Sequence, residues 1–163
     1  MRVATSLTVW ASFGMLPGNI PCLLIPSPSF PTGDARFFVR AANAELLMQT
    51  LFRYRETGRF ALHGFAIMQE HVHVLLTPLG DNTIERCVQL IKGGYSYTIR
   101  KQFPGEVWNS GYHDHRVRDR EDFENQLRYI ADNPTRRGLK EHEFVHTRFP
   151  CVMDSIPGYL VDS

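Results

Sequence analysis

Several large functional classes find no foothold in this chain. Its three cysteines, Cys22, Cys87 and Cys151, are far apart and show no CxxC spacing, so neither a disulfide framework nor a zinc ribbon is indicated. A reducing cytoplasm suits such a chain. The longest apolar stretches, residues 7–15 and 22–25, fall short of the roughly 20 residues a membrane span needs. One Arg at position 2, a broken apolar region and the lack of a small-x-small cleavage site give a signal peptide little support. No GxSxG elbow is present, no cysteine carries a nucleophile motif, and glycine-rich phosphate loops of the Walker or dinucleotide type are missing. Charge of one sign is also scarce. A formal net charge of +1 leaves any nucleic-acid surface to local clustering.

What is present is a chain of 163 residues, 43% hydrophobic and 21% charged, which describes one soluble domain able to bury its own core. Residues 5–13 alternate, with Leu7, Val9, Ala11 and Phe13 on one side, and read as a half-buried strand. The stretch over 16–33 is rich in Pro, Gly and Ser and reads as loop or disordered. From Asn43, Leu46, Leu47, Thr50, Leu51 and Tyr54 recur at helical spacing, and Gly58 supplies the stop. Residues 60–68 and 72–77 form a hairpin turning near Gln69 and Glu70. A second helix over 82–102 carries Ile84, Val88, Ile91, Tyr95 and Ile99 on one face, with Gly93-Gly94 marking a kink or a close contact. Short extended segments follow at 106–108 and 112–117. A last helix then begins, with Asp119 as its cap, acidic residues in its first turn and an expected end at Asn133, before Pro134. This order suggests an α+β sandwich with an antiparallel sheet.

Three features could carry chemistry. In a strand, His71 and His73 of His71-Val72-His73 point to the same face, so two imidazoles project together and make two thirds of a metal site. Alone, an HxH pair is more often two surface histidines. On the last helix, Phe123, Leu127 and Ile130 form an apolar stripe, and Gln126, Tyr129 and Asn133 a polar one beside it. A tyrosine and an amide at i and i+4 can meet one ligand from the same direction; a half-buried ring with its hydroxyl at the rim is the plainer alternative. Third, Lys92, Arg100, Lys101, Arg116, Arg118, Arg136 and Arg137 are candidate phosphate contacts, Arg116 and Arg118 being expected to share one strand face. Tyr95, Tyr97, Trp108 and Tyr112 lie among them, as a base-stacking groove or as core. Seven acidic residues between positions 92 and 140 offset much of that charge, so an ordinary solvated surface is the competing reading. Of the remaining histidines only His115, beside Arg116, stands out.

Taken together, three segments in this order resemble a known family. They are Met68-Gln69-Glu70-His71-Val72-His73 within residues 60–78, Trp108-Asn109-Ser110-Gly111-Tyr112-His113-Asp114-His115-Arg116, and Leu127-Arg128-Tyr129-Ile130-Ala131-Asp132-Asn133-Pro134. Over residues 37–150 the chain is similar to the REP-associated tyrosine transposases, relatives of the single-strand insertion-sequence transposases of the HUH superfamily. The resemblance implies a ferredoxin-like antiparallel sheet packed by helices, with a divergent segment over 1–36 that would supply the first strand and a tail over 151–163. It implies that His71 and His73 bind a divalent metal, Mg²⁺ or Mn²⁺, that Asn133 completes the site, and that Tyr129 is the nucleophile. The implied activity is cleavage and rejoining of single-stranded or hairpin DNA through a 5′-phosphotyrosine. A monomer or homodimer in the bacterial cytoplasm, nucleoid-associated when bound to DNA and away from membranes, would carry it out. Two departures stand out: Gln69-Glu70 replaces the family's Pro-x before the first histidine, adding a carboxylate, and the family's first strand and loop are not recognisable before residue 37. A non-catalytic DNA-binding remnant and an RNA-binding ferredoxin-like module are the alternatives; neither needs His71, His73 and Tyr129 together.

Overall fold

Helical periodicity buries one stripe of each long helix, and strand alternation divides the apolar residues between the two faces of one sheet. The computed structural model describes residues 20–29, 37–105, 107–138, 145–146 and 154. In chain order its elements are β1 (Ile20–Pro26), β2 (Pro28–Ser29), a 3-10 turn (Phe37–Val39), α1 (Ala41–Glu56), β3 (Phe60–Ile67) and β4 (His71–Pro78). These are followed by α2 (Ile84–Ile99), β5 (Val107–Trp108), β6 (His113–Val117), α3 (Arg120–Arg136) and β7 (Val145–His146). The main sheet has the order β6-β1-β4-β3-β7 with antiparallel neighbours. The succession β1-α1-β3-β4-α2-β6 in that order is the ferredoxin-like α+β arrangement.

On one face, Leu23, Ile25, Phe65, Val72, Val74 and Leu76 pack against Leu47 and Leu51 of α1 and Val88, Ile91, Tyr95 and Ile99 of α2. On the other, Ile20, Cys22, Ala66, Met68, Leu75 and Val117 receive Phe123, Leu127 and Ile130 of α3. Each such side chain, taken fully out of water, contributes about 1.5–3 kcal/mol, which fixes both helix layers on the sheet. α3 thus has one docked orientation, and that orientation aims Tyr129 and Asn133 at β4.

Two expectations need correction. The strand expected at residues 5–13 lies outside the described residues, whereas β1 arises inside the stretch read as loop. β1 runs through the middle of the sheet and is buried on both faces, so it shows no alternation, and its prolines masked it. Pro21 pairs only with Arg116 of β6 and Pro26 only with His71 of β4, so each sits where one side of the ladder is open. The last helix also runs past Asn133 to Arg136, with Pro134 inside it. A proline this close to the end removes one hydrogen bond only, and the Arg137 N–H still reaches the carbonyls of Asn133 and Pro134 before Gly138 turns left-handed at φ 74°. Of the two readings of Gly93-Gly94, the close contact is the one that forms, and α2 runs through the pair without a break. Gly94 leaves room for the Tyr54 ring of α1, whose Cε2 and Cζ would lie 2.7 and 2.9 Å from a Cβ there.

Candidate active site

Alternation along β4 sends Val72 and Val74 into the core beneath α1 and α2 and turns His71 and His73 to the α3 side. Their Nε2 atoms are 3.0 Å apart. Ile130 anchors α3 in the core, and the residue before it, Tyr129, has its ring edge-on to that of His73 at 5.4 Å between centroids. Asn133, one turn on, places its amide 2.9 Å from His73 Nε2. The structure therefore brings together all four residues singled out from the sequence. Asn133 is 5% and His73 3% exposed, while Tyr129 is 40% exposed, so a buried polar cluster ends in an accessible phenol.

The electrostatics keep both rings neutral near pH 7. Burial and then the Arg137 guanidinium lower His71, against an upward pull from Glu70. Burial, His71 and Arg137 together push His73 down to about 4. A neutral imidazole offers one lone pair or one proton at Nε2, yet His73 Nε2 has both the His71 nitrogen and the Asn133 amide within 3.0 Å. The cluster holds more converging polar atoms than can satisfy one another. Among the described residues no group of three His, Cys, Asp or Glu side chains converges, so a cation here would rest on two imidazoles and one amide.

The basic candidates divide into two sets. Arg136 lies over the Tyr129 ring at 5.7 Å, and Arg137 borders a cleft shared with His71. Arg100 stacks on the exposed Tyr97 at 4.1 Å, and Lys101 is exposed just past the end of α2. Lys92, by contrast, donates to the carbonyls of Asn109 and Gly111 at 2.9 Å each. The expected Arg116–Arg118 row does not form: β6 ends at Val117, Arg116 turns to Asp114, and Arg118 reaches Asp122 on α3. Tyr95 and Trp108 belong to the core side rather than to an open groove, Trp108 donating to Ser96 Oγ at 2.9 Å.

In the sequence Asp122 stands out only as charge in the first turn of α3. It is buried and accepts from His115 Nε2 and from the Arg118 N–H and Nε, while its own N–H is capped by Asp119, so it ties β6 to the start of α3 two turns before Tyr129. The i+3 spacing of Asp119 and Asp122 signalled the cap; the long-range partner left no local trace. His63 sits at a bulge in β3 and is wholly buried, its Nε2 2.8 Å from Thr77 Oγ1 and its Nδ1 2.6 Å from the carbonyl of Asp154. Asp154, from the stretch read as a tail, also pairs with Arg55 and accepts the Leu62 N–H. Cys22 and Cys87 are buried and pushed up to about 12 and about 11, which leaves neither thiol a nucleophile. No helix among the described residues is long and apolar enough to cross a membrane.

Comparison with known proteins accords with this geometry. Residues 35–133 match the family described as Transposase IS200 like. The REP-associated tyrosine transposase of Escherichia coli (strain K12) is 21% identical over 95 residues, a match spanning 58% of this chain and 56% of that relative's length. A solved structure of the REP-associated tyrosine transposase bound to a REP hairpin superposes with a TM-score of 0.63 at 14% identity, covering 86% of this chain and 94% of the other. A transposase candidate from Deinococcus radiodurans R1 gives 0.52 at 19% identity over 74% of this chain and 94% of that one. Those likenesses concern the fold, whereas the family match covers more than half the chain and runs from before α1 through Tyr129 to Asn133. The chain belongs to the IS200-like transposase family.

Proposed function

We propose that the protein cuts and rejoins single-stranded DNA at hairpin-associated sites, with Tyr129 as nucleophile and a divalent cation held by His71, His73 and Asn133. The observation that carries this reading is the convergence of two neutral imidazoles and a buried amide beside an accessible tyrosine. The donor set would fit a divalent cation, since two neutral imidazole nitrogens 3.0 Å apart and a buried side-chain amide converge there. When bound, Mg²⁺ or Mn²⁺ polarises the scissile phosphate and offsets charge on its oxygens.

The residues do the rest. Tyr129 Oη forms a bond to phosphorus as the bond to the 3′ oxygen breaks; the phenol loses its proton and the leaving oxygen gains one. The product is a 5′-phosphotyrosine and a free 3′-hydroxyl, and the stored ester lets a 3′-hydroxyl reverse the step without ATP. Arg136 flanks the phenol, where it neutralises incoming phosphate. The relative solved with a REP hairpin supports hairpin DNA as the substrate form.

The test is incubation with labelled hairpin DNAs in Mg²⁺, Mn²⁺ or EDTA, followed by a denaturing gel. A metal-dependent covalent adduct, absent in Tyr129→Phe, is the expected result. DNA binding without an adduct across a broad hairpin library would mark an inactive remnant, and preference for RNA would mark an RNA-binding module.

A further inference from the structure

Beside the histidine pair, Met68, Gln69, Glu70, His71 and Arg137 line a cleft of about 130 Å³. We propose that this cleft seats one nucleobase of the strand next to the scissile phosphate and selects guanine, an inference that rests on the strand-cutting function proposed above.

The cleft carries charge of both signs. Glu70 brings a carboxylate and Arg137 a guanidinium, and no ion pair joins them among the described residues. A phosphate site gathers cations and keeps carboxylates away; here the carboxylate repels an anion. The match is instead a neutral, flat ligand with hydrogen-bond donors along one edge and acceptors along the next. Guanine is the DNA base with two neighbouring donors, N1–H and the N2 amino group, for both oxygens of one carboxylate, and its O6 and N7 are the usual partners of a guanidinium. Adenine and cytosine set a ring acceptor beside their amino group, facing the carboxylate lone pairs, and thymine has a single N–H between two carbonyls.

The turn carrying Glu70 is held in place. The Glu70 carbonyl accepts the Ser27 N–H at 2.8 Å, and the Gln69 carbonyl accepts the Phe38 N–H at 3.3 Å. Ser27 is fixed in turn through its carbonyl, which accepts from Asn109 Nδ2 at 3.0 Å. Arg137 caps the C-terminal end of α3, one residue after the arginine stacked on Tyr129. His71 both lines the cleft and touches His73, so base selection and bond cleavage share one side chain.

Two measurements test the inference. In the first, hairpin pools randomised around the cut are offered to wild type and to Glu70→Gln, and the DNA recovered covalently on the protein is sequenced. Guanine is expected to be enriched roughly tenfold or more at one position beside the cut, and Glu70→Gln to remove most of that enrichment there and nowhere else. In the second, binding to the uncut DNA is followed by fluorescence anisotropy in a Tyr129→Phe background. Replacing that guanine by inosine, which lacks the N2 amino group, is expected to weaken binding several-fold with Glu70 present and hardly at all once Glu70→Gln is added. Adducts without a guanine preference, or a preference indifferent to Glu70→Gln, would overturn the base site. If wild type forms no adduct on any pool, the strand-cutting function fails instead; guanine and inosine, scanned through the bound oligonucleotide by anisotropy, then decide the base site alone.

Discussion

Asn133 and His71 compete for the single Nε2 of His73, and the competition sets what truncation does. Without metal, Asn133→Ala leaves His71 to satisfy that nitrogen, so the loss by urea denaturation is expected to stay below about 1 kcal/mol. With Mn²⁺ the variants separate: wild type gains thermal stability by ligand linkage, while Asn133→Ala gains less and needs more ion for the same shift. An equal Mn²⁺ gain in both would remove Asn133 from the donor set. Asp122 makes a second claim at this scale. Burial raises its carboxyl, but hydrogen bonds from His115 and from the Arg118 backbone and side chain outweigh that and leave it at about 2, below the ordinary 3.8. A group depressed on folding stabilises fully above its unfolded value, and that contribution is lost as pH falls through its folded value. Wild type should therefore lose stability between about pH 4 and pH 2, and Asp122→Asn should lose less over that window, as read from urea midpoints.

Helix α2 lies against α1 through Gly94, whose missing side chain is filled by the Tyr54 ring. Gly→Ala within a helix gains up to about 1 kcal/mol from propensity, but overpacking costs about 1–3 kcal/mol. Gly94→Ala is thus expected to destabilise by about 1 kcal/mol, and the same change in a Tyr54→Ala background to stabilise. A stabilising Gly94→Ala in the wild type would show that Tyr54 moves aside freely. The elements that placed the site were legible because their physics is local. The two-residue spacing of His71 and His73 puts both on one strand face, and the four-residue spacing of Tyr129 and Asn133 puts both on one helix face. β1 was hidden because a strand buried on both faces loses its alternation and because its prolines mimic a loop. Partners distant in sequence were hidden too: nothing near Asp122 announces His115, nothing near His63 announces Asp154, and the pull of Asp122 on Arg118 breaks a row that alternation alone implied.

Across the whole molecule, a net charge of +1 means that binding to DNA depends on where the cations stand, not on how many there are. Arg116, Arg118 and Arg120 are engaged by Asp114, Asp122 and Glu124, whereas Arg100, Lys101, Arg136 and Arg137 have no carboxylate partner among the described residues. With Arg100, Lys101 and Arg136 as phosphate contacts, log K against log salt for single-stranded DNA should have a slope of roughly −2. Arg136→Ala should make it shallower by roughly 0.7, and an unchanged slope would place the DNA elsewhere. The most direct measurement is mass spectrometry of the covalent protein–DNA species after protease and nuclease digestion. A 5′-linked nucleotide on the peptide containing Tyr129, formed only when Mg²⁺ or Mn²⁺ is present, is the predicted result. A nucleotide on another tyrosine, such as the exposed Tyr97, or an adduct indifferent to EDTA, would contradict the assignment of His71, His73 and Tyr129 to one catalytic centre.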